Sequence, residues 1–225
     1  MKKNKTIKTV AIVAGELSGD NLASGLMREL KHMHPNITFF GVGGPKMISE
    51  GLESIGDMET LSVMGIIEPL KRLPAILTLR NLIIKRALNN KPDVFIGVDS
   101  PDFNLPIEKK LRSNGIKTCH YVCPSIWAWR PSRIKKIKKS VDHILTLFPF
   151  EESLLRGFEV NSTFVGHPIA DINPSVEIKN INLIDLDDDD LISKAYSSNN
   201  LICVLPGSRL NEVERMMKLF IKVIE

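Results

Sequence analysis

Short, continuously apolar runs alternate along the chain with longer stretches whose apolar residues recur every three or four positions. Val10-Ala11-Ile12-Val13 is apolar without a break, the pattern of a strand covered on both faces. From about Asp20 to His34, Leu22, Leu26, Leu30 and Met33 fall at helical spacing, and Pro35 ends that helix. Ile37 to Val42 returns as a strand running into Gly41-Val42-Gly43-Gly44. A long helical region follows from about Gly65 to Asn89, in which Pro69 and Pro74 predict two pieces rather than one rod. Val94 to Val98 is the next strand, followed by a helix from about Asn104 to Ser113. Further strands are expected near Thr118–Val122, His143–Leu147 and Thr163–Val165. Strands alternating with helices of these lengths predict a Rossmann-like, doubly wound parallel α/β sheet.

Beyond His167-Pro168 the pattern lapses. Residues 171–199 are polar and contain the run Asp187-Asp188-Asp189-Asp190, whose mutual repulsion suits a solvated connector better than a cation site. Leu201 to Leu205 is again strand-like, meets Pro206-Gly207-Ser208-Arg209, and gives way to a helical pattern from Glu212. The expected organisation is an N-terminal domain over 1–170, a connector over 171–199, and from 200 to 225 the opening strand–turn–helix of a second α/β domain. That division fits the 225 residues, about one and a half domains of about 150 residues each.

Composition narrows the class. Hydrophobic residues at 43% and charged residues at 25% are those of a globular chain, and they exclude disordered or collagen-like sequence. The net charge of +4 is too small to diagnose an anionic partner. Three cysteines, Cys119, Cys123 and Cys203, cannot all pair within the chain, which suits a reducing cytoplasm. Cys119-His120 with Cys123 lacks the second ligand pair of a zinc site. The apolar run at Val10 is too short for a signal peptide, and no stretch approaches the ~20 apolar residues of a membrane span, so a soluble or peripheral protein is expected.

Ligands of open parallel sheets bind outside the carboxyl ends of the strands, so the residues leaving each strand there carry the candidate chemistry. The first strand exits into Gly15-Glu16-Leu17-Ser18-Gly19-Asp20, where glycines allow close approach and a helix N-terminus offers free N–H groups. A tight turn with Ser18 or Asp20 as helix cap explains the same residues. Gly41-Val42-Gly43-Gly44 lacks the spacing and the acidic partner of a dinucleotide fingerprint. The strand at 94–98 exits into Asp99-Ser100-Pro101-Asp102-Phe103-Asn104. A partly desolvated carboxylate there can act as a general base toward a sugar hydroxyl. Asp102 or Asn104 could instead cap the next helix, whereas Asp99 is harder to explain that way.

Trp127-Ala128-Trp129-Arg130 could stack on a sugar or close a cleft. The cations that follow, Arg133, Lys135, Lys136, Lys138 and Lys139, form a basic helical face without the groove or platform of a nucleic-acid site. Met64, Ile66, Ile67, Leu70, Leu73, Ile76 and Leu77, interleaved with Lys71 and Arg72, read either as a core helix or as a surface meeting acyl chains and the membrane interface. At Gly207-Ser208-Arg209, backbone N–H groups, a hydroxyl and a guanidinium could hold a diphosphate.

Taken in order, Ala14-Gly15-Glu16-Leu17-Ser18-Gly19-Asp20, Gly41-Val42-Gly43-Gly44-Pro45, Leu61-Ser62-Val63-Met64-Gly65, Gly97-Val98-Asp99-Ser100-Pro101-Asp102-Phe103-Asn104, Pro124-Ser125-Ile126-Trp127-Ala128-Trp129-Arg130, Gly166-His167-Pro168 and Leu205-Pro206-Gly207-Ser208-Arg209 closely resemble the lipid-A-disaccharide synthases. The resemblance implies a glycosyltransferase of two Rossmann-like domains, the GT-B arrangement, needing no metal and no cofactor. Its implied substrates are UDP-2,3-diacylglucosamine and 2,3-diacylglucosamine 1-phosphate, joined at the cytoplasmic face of the inner membrane with release of UDP.

Carried over by motif, Asp99 is the base for the acceptor 6-hydroxyl, and Glu16, Ser18 and Gly19 line the acceptor side. Asp102, Asn104, Trp127 and Arg130 join the substrate contacts. Gly207, Ser208 and Arg209 take the donor diphosphate, and the segment from Met64 to Leu77 becomes the membrane and acyl surface. The implied partners are these two acylated sugars and an anionic membrane surface, with no nucleic acid; a homodimer is compatible with the pattern. Cys123 stands where the family pattern has Ser, and the four-Asp insert is unlike the usual short connector. Members continue for roughly one more domain, about 150 residues. Two rival readings stay open: a non-catalytic lipid- or membrane-binding module, and another UDP-sugar enzyme of the same architecture.

Overall fold

The computed structural model describes residues 7–61, 67–127, 131–171, 204–207 and 210–224. Seven strands form one wholly parallel sheet. In chain order they are β1 (Thr9–Ala14), β2 (Thr38–Val42), β3 (Leu52–Ser54), β4 (Val94–Val98), β5 (Lys117–Tyr121), β6 (His143–Thr146) and β7 (Ser162–Phe164). Their spatial order is β3-β2-β1-β4-β5-β6-β7. The helices are α1 (Leu17–Met33), α2 (Pro45–Ser49), α3 (Ile67–Asn90), α4 (Pro101–Arg112), α5 (Ile134–Ser140) and α6 (Pro149–Gly157). These belong to one compact unit, Met1–Ile172; a second unit, Asn173–Glu225, contains helix α7 (Leu210–Ile224). The doubly wound parallel α/β class is thus what the chain adopts.

β1 is the spine of the sheet and is buried along Val10–Ala14. Val10, Ile12 and Ala14 pack with Ala23 and Met27 of α1 on one face. Ala11 and Val13 pack with Ile83 of α3 and Ile107 of α4 on the other. Strand alternation explains this split, and each fully buried Ile or Met contributes about 1.5–3 kcal/mol. β2 approaches β1 so closely that a Cβ on Gly41, at φ +152°, would stand 1.8 Å from the Ile12 carbonyl oxygen. Sheet packing therefore accounts for that glycine without a ligand.

Several boundaries differ from the sequence expectation. α3 is one helix rather than two pieces: Pro69 falls in its first turn, where no intrahelical N–H partner is needed, and Pro74 lies inside it. The Thr78 hydroxyl donates to the Pro74 carbonyl at 2.9 Å. α1 begins at Leu17, with Glu16 as an extended N-cap residue, so neither Ser18 nor Asp20 caps it. α4 begins at Pro101 after Ser100, so neither Asp102 nor Asn104 is its cap. β3, α2 and α6 come without forecast. The strand expected at Leu201–Leu205 and the Asp187–Asp190 run fall mainly outside the described residues, and Val204–Gly207 has no regular secondary structure.

Carboxylates pin the strands and loops. Asp20, 1% exposed, accepts from the backbone N–H groups of Gly44 (2.9 Å), Lys46 (3.0 Å) and Met47 (2.9 Å), which ties α1 to the start of α2. At the opposite, entry end of the strands, Asp93 accepts from the N–H groups of Lys8 and Thr9. Asp142 accepts from Thr118 N–H at 3.0 Å and from Arg112 Nε at 2.9 Å.

Desolvation works against ionised Asp142, but the Thr118 N–H and the Arg112 guanidinium outweigh it and hold the carboxyl below the ordinary aspartate range. Its stabilisation is therefore present above the unfolded pKa, about 3.9, and is lost as pH falls through the lower folded value. Asp142→Asn should cost about 1–2 kcal/mol in urea unfolding at pH 7, with the gap narrowing as pH falls below about 4; a gap that does not narrow on acidification would mean the carboxylate is not responsible. Asp20→Ala strips three N–H groups of their acceptor and should cost about 2–4 kcal/mol in the same measurement, with no recovery on changing salt.

Candidate functional site

Two adjacent strands, β1 and β4, send the chain away in opposite directions: through α1 to β2, and through α4 to β5. Their exits therefore part, and the gap between them is the natural ligand crevice of such a sheet. The exit loops are nevertheless in touch at their base. A Cβ on Gly15 would stand 2.7 Å from the Ser100 hydroxyl oxygen, and one on Gly19 would stand 3.7 Å from the Val98 carbonyl oxygen. Around this contact Glu16 is half-buried, Ser18 is exposed and Gly19 is buried. Two depressions, of about 660 Å³ beside Thr9 and Thr38 and about 600 Å³ beside Asp93 and Lys117, lie at the strand entries instead, away from every predicted site residue.

Asp99 is the first residue off β4. Asp99 and Ser100 both adopt left-handed backbone, at φ 50° and 43°, which costs a non-glycine residue about 1–2 kcal/mol. The turn is held on both sides: Asp99 N–H donates to the Tyr121 carbonyl at 2.8 Å, and the Asp99 carbonyl accepts from Asn104 Nδ2 at 2.9 Å. The side chain is half-buried, and its carboxylate has no hydrogen bond or ion pair among the described residues. A carboxylate held in a strained turn and left unpartnered at a crevice is chemically available as a base.

The neighbouring polar residues are occupied. Asp102 receives the Arg133 guanidinium at 2.8 Å on both carboxylate oxygens, and its carbonyl accepts from Arg80 Nη2 at 3.2 Å. Arg80 also lies 5.3 Å from the centre of the Phe103 ring, and burial lowers its proton affinity. Asn104 is fully buried, its amide donating to the carbonyls of Val98 and Asp99. One turn on, Glu108 is also fully buried against His120, with Oε1 2.7 Å from Nδ1. Burial pushes the Glu108 carboxyl up, against the opposing pull of His120.

Trp127 stands 52% exposed after β5 and meets Phe150 edge-on at 5.3 Å; Phe150 in turn stacks on Phe148 at 5.9 Å. Phe148 and Phe150 leave β6, so two strand exits build one exposed aromatic platform that periodicity did not reveal. The Phe-Pro-Phe triplet after a predicted strand was its signal. On α3, Leu73 and Leu77 are 45% and 41% exposed, while Ile76 packs against the core with Leu79 and Ile83. The core reading therefore holds for one face of the helix, and another face exposes apolar side chains. Ile67 and Leu70 lie in the first turns of α3, and the placement of their side chains is not described. Met64, Ile66, Arg130, Ser208 and Arg209 lie outside the described residues. Gly207, at φ 116°, belongs to the second unit.

Burial and Glu108 push the Cys119 thiol up to about 12, and burial and Glu151 do the same for Cys123. Neither is a ready thiolate near neutral pH. Among the described residues no group of three His, Cys, Asp or Glu side chains is disposed to hold a metal ion, and no helix is long and apolar enough to cross a membrane.

Residues 10–225 match the family model of lipid-A-disaccharide synthetase. "Lipid-A-disaccharide synthase 2" of Legionella pneumophila (strain Lens) is 46% identical over 228 residues, covering 100% of this chain and 56% of the relative. The lipid-A-disaccharide synthase of Haemophilus influenzae (strain PittEE) is 47% identical over 97% of this chain and 54% of its own length. That of Saccharophagus degradans is 48% identical over 96% and 54%. The chain spans about half the length of these curated relatives. Since the match runs through both exit loops of the crevice, the chain belongs to the lipid-A-disaccharide synthetase family.

Proposed function

We propose that this chain is the acceptor-side half of a hexosyltransferase that joins UDP-2,3-diacylglucosamine to 2,3-diacylglucosamine 1-phosphate. The observation that carries the reading is Asp99, a half-buried carboxylate with no partner among the described residues, on a strained turn at the parting of β1 and β4. In the transfer, Asp99 accepts the proton of the acceptor 6-hydroxyl as that oxygen attacks the anomeric carbon of the donor. The new C–O bond forms as the anomeric C–O bond to UDP breaks, and UDP leaves with the electron pair. One displacement of this kind inverts the anomeric centre. Glu16, Ser18 and Gly19 would line the acceptor, and the α3 surface with Leu73 and Leu77 would meet its acyl chains. Gly207, Ser208 and Arg209 would hold the donor diphosphate.

Neutralisation of Asp102 by Arg133 leaves Asp99 as the available carboxylate of its loop, which supports giving it the proton transfer. The exposed leucines of α3 and the cations of α5 support work at an anionic membrane surface from the cytoplasmic side. The charges of Lys135, Lys136 and Lys139 would meet lipid phosphates, each contributing about 1 kcal/mol near the surface, while Lys138 is already paired with Glu159.

In the complete protein, Asp99→Asn should lower kcat for UDP release by about 10²–10⁴-fold, the usual worth of a positioned base, with little change in donor KM. Turnover at the parent rate would remove Asp99 from this role. Phe150→Ala takes away the middle ring of the platform and should raise KM for the acylated acceptor by about tenfold, consistent with about 1–2 kcal/mol of lost aromatic contact. An unchanged KM would mean the platform does not touch that substrate.

A further inference from the structure

Asn104, Glu108 and His120 form a fully buried polar cluster between α4 and the sheet. Asn104 and Glu108 lie one helical turn apart and converge on Gly97. A Cβ there would stand 2.8 Å from Asn104 Cβ and 2.3 Å from Glu108 Oε1. Gly97 pairs in register with His120 and lies two residues before Asp99. From this position Asn104 sends its one amide group to two carbonyls, Val98 at 3.3 Å and Asp99 at 2.9 Å, where β4 ends and the left-handed turn begins. The Glu108–His120 contact pins α4 to β5, and that pin sets the height and rotation from which Asn104 reaches the turn.

The cluster is poorly satisfied for its depth. Asn104 Oδ1, Glu108 Oε2 and His120 Nε2 are all buried without a hydrogen-bond partner among the described residues. Apolar side chains of similar volume would fill the same space without that desolvation cost. Stability alone therefore gives no reason for three polar groups here, whereas placement of the Asp99 turn does.

We propose that Asn104, held by the Glu108–His120 pair, is a positioning residue that fixes the Asp99 carboxylate in the crevice rather than a contact for the sugar. The inference rests on Asp99 as the base. Asn104 orients the base through its backbone carbonyl and never meets substrate, so its loss should act on kcat and spare KM.

The test uses the complete enzyme with UDP-diacylglucosamine and the acylated acceptor, and Asp99→Asn as a control. Asn104→Ala should lower kcat by about 10–100-fold, as expected for a misplacement near 1 Å, with acceptor KM changed less than about twofold. Glu108→Leu combined with His120→Leu should leave the unfolding midpoint unchanged or raised while lowering kcat about tenfold. A merely structural role would move stability and kcat down together. Glu108→Gln, which keeps an oxygen to accept from the imidazole, should restore kcat to within about threefold of the parent.

A rise in KM without loss of kcat in Asn104→Ala would overturn the proposal in favour of a substrate contact. A folded, fully active double variant would overturn the part assigned to the pair. If the double variant does not fold, the kcat and KM of Asn104→Ala and Glu108→Gln decide. An active Asp99→Asn enzyme would defeat the base assignment itself; an inactive one beside an unimpaired Asn104→Ala would defeat only this inference.

Discussion

β1 and β4 run side by side and buried, and their chains must leave the sheet in opposite directions. Two backbones emerging about 4.8 Å apart have no room for bulk at the first residue beyond the strand. Gly15 answers this on one side, since any Cβ there would meet the Ser100 hydroxyl. On the other side β4 turns through two left-handed residues, which swings the chain into α4 at once and leaves the Asp99 side chain at the divide. The parting of the two exits, the exposed Ser18 and a carboxylate without a partner among the described residues follow from this one crowded divergence.

Holding the divergence open requires that the diverging loops be anchored elsewhere. Asp20 supplies the anchor for the β1 exit by binding the N-terminal N–H groups of α2, the helix that follows the neighbouring strand β2. The helix dipole adds to those three bonds, because the carboxylate sits where the partial positive charge of α2 collects. Asn104 supplies the anchor for the β4 exit from beneath. The two anchors differ in kind. Asp20 is a well-satisfied charge that stabilises, and Asn104 belongs to a cluster that tolerates unpaired atoms.

The strands were legible because a sheet covered on both faces needs unbroken apolar runs, and Val10–Val13 and Val94–Val98 have them. Asp99 stands out in the sequence for the complementary reason, since a carboxylate directly after such a run has no local structural task, and the structure places it on a left-handed turn. What stayed hidden depended on proline and on distance. Pro69 and Pro74 were read as breaks, yet Pro45, Pro101 and Pro149 each open a helix immediately after a strand, and the same residue in the first turn starts helices rather than ending them. α2 and α6 could have been found from that signal. Asp20 looked like a cap for its own helix because sequence displays neighbours in the chain; its partners lie 24 to 27 residues away. Trp127 and Phe150 meet only because β5 and β6 are adjacent.

The carboxylates of the first unit separate by what each is bound to. Asp93 and Asp142, at the strand entries, accept backbone N–H groups and fix register. Asp20 accepts three N–H groups across two loops, and Asp102 is matched by a guanidinium. Each of these charges recovers through its partners what it loses in hydration. Asp99 is half-buried and recovers nothing from the described residues, while its backbone carries the strain of a left-handed turn. A fold that satisfies its acidic groups so thoroughly elsewhere would gain stability from a neutral, unstrained residue at this position. The cost at Asp99 is joined by the atoms of Asn104, Glu108 and His120 beneath it that are unpaired among the described residues, so several uncompensated groups meet at this strand exit. On the proposed reading of Asp99 as the base, a carboxylate that no described residue satisfies is one that the proton of an incoming hydroxyl can satisfy.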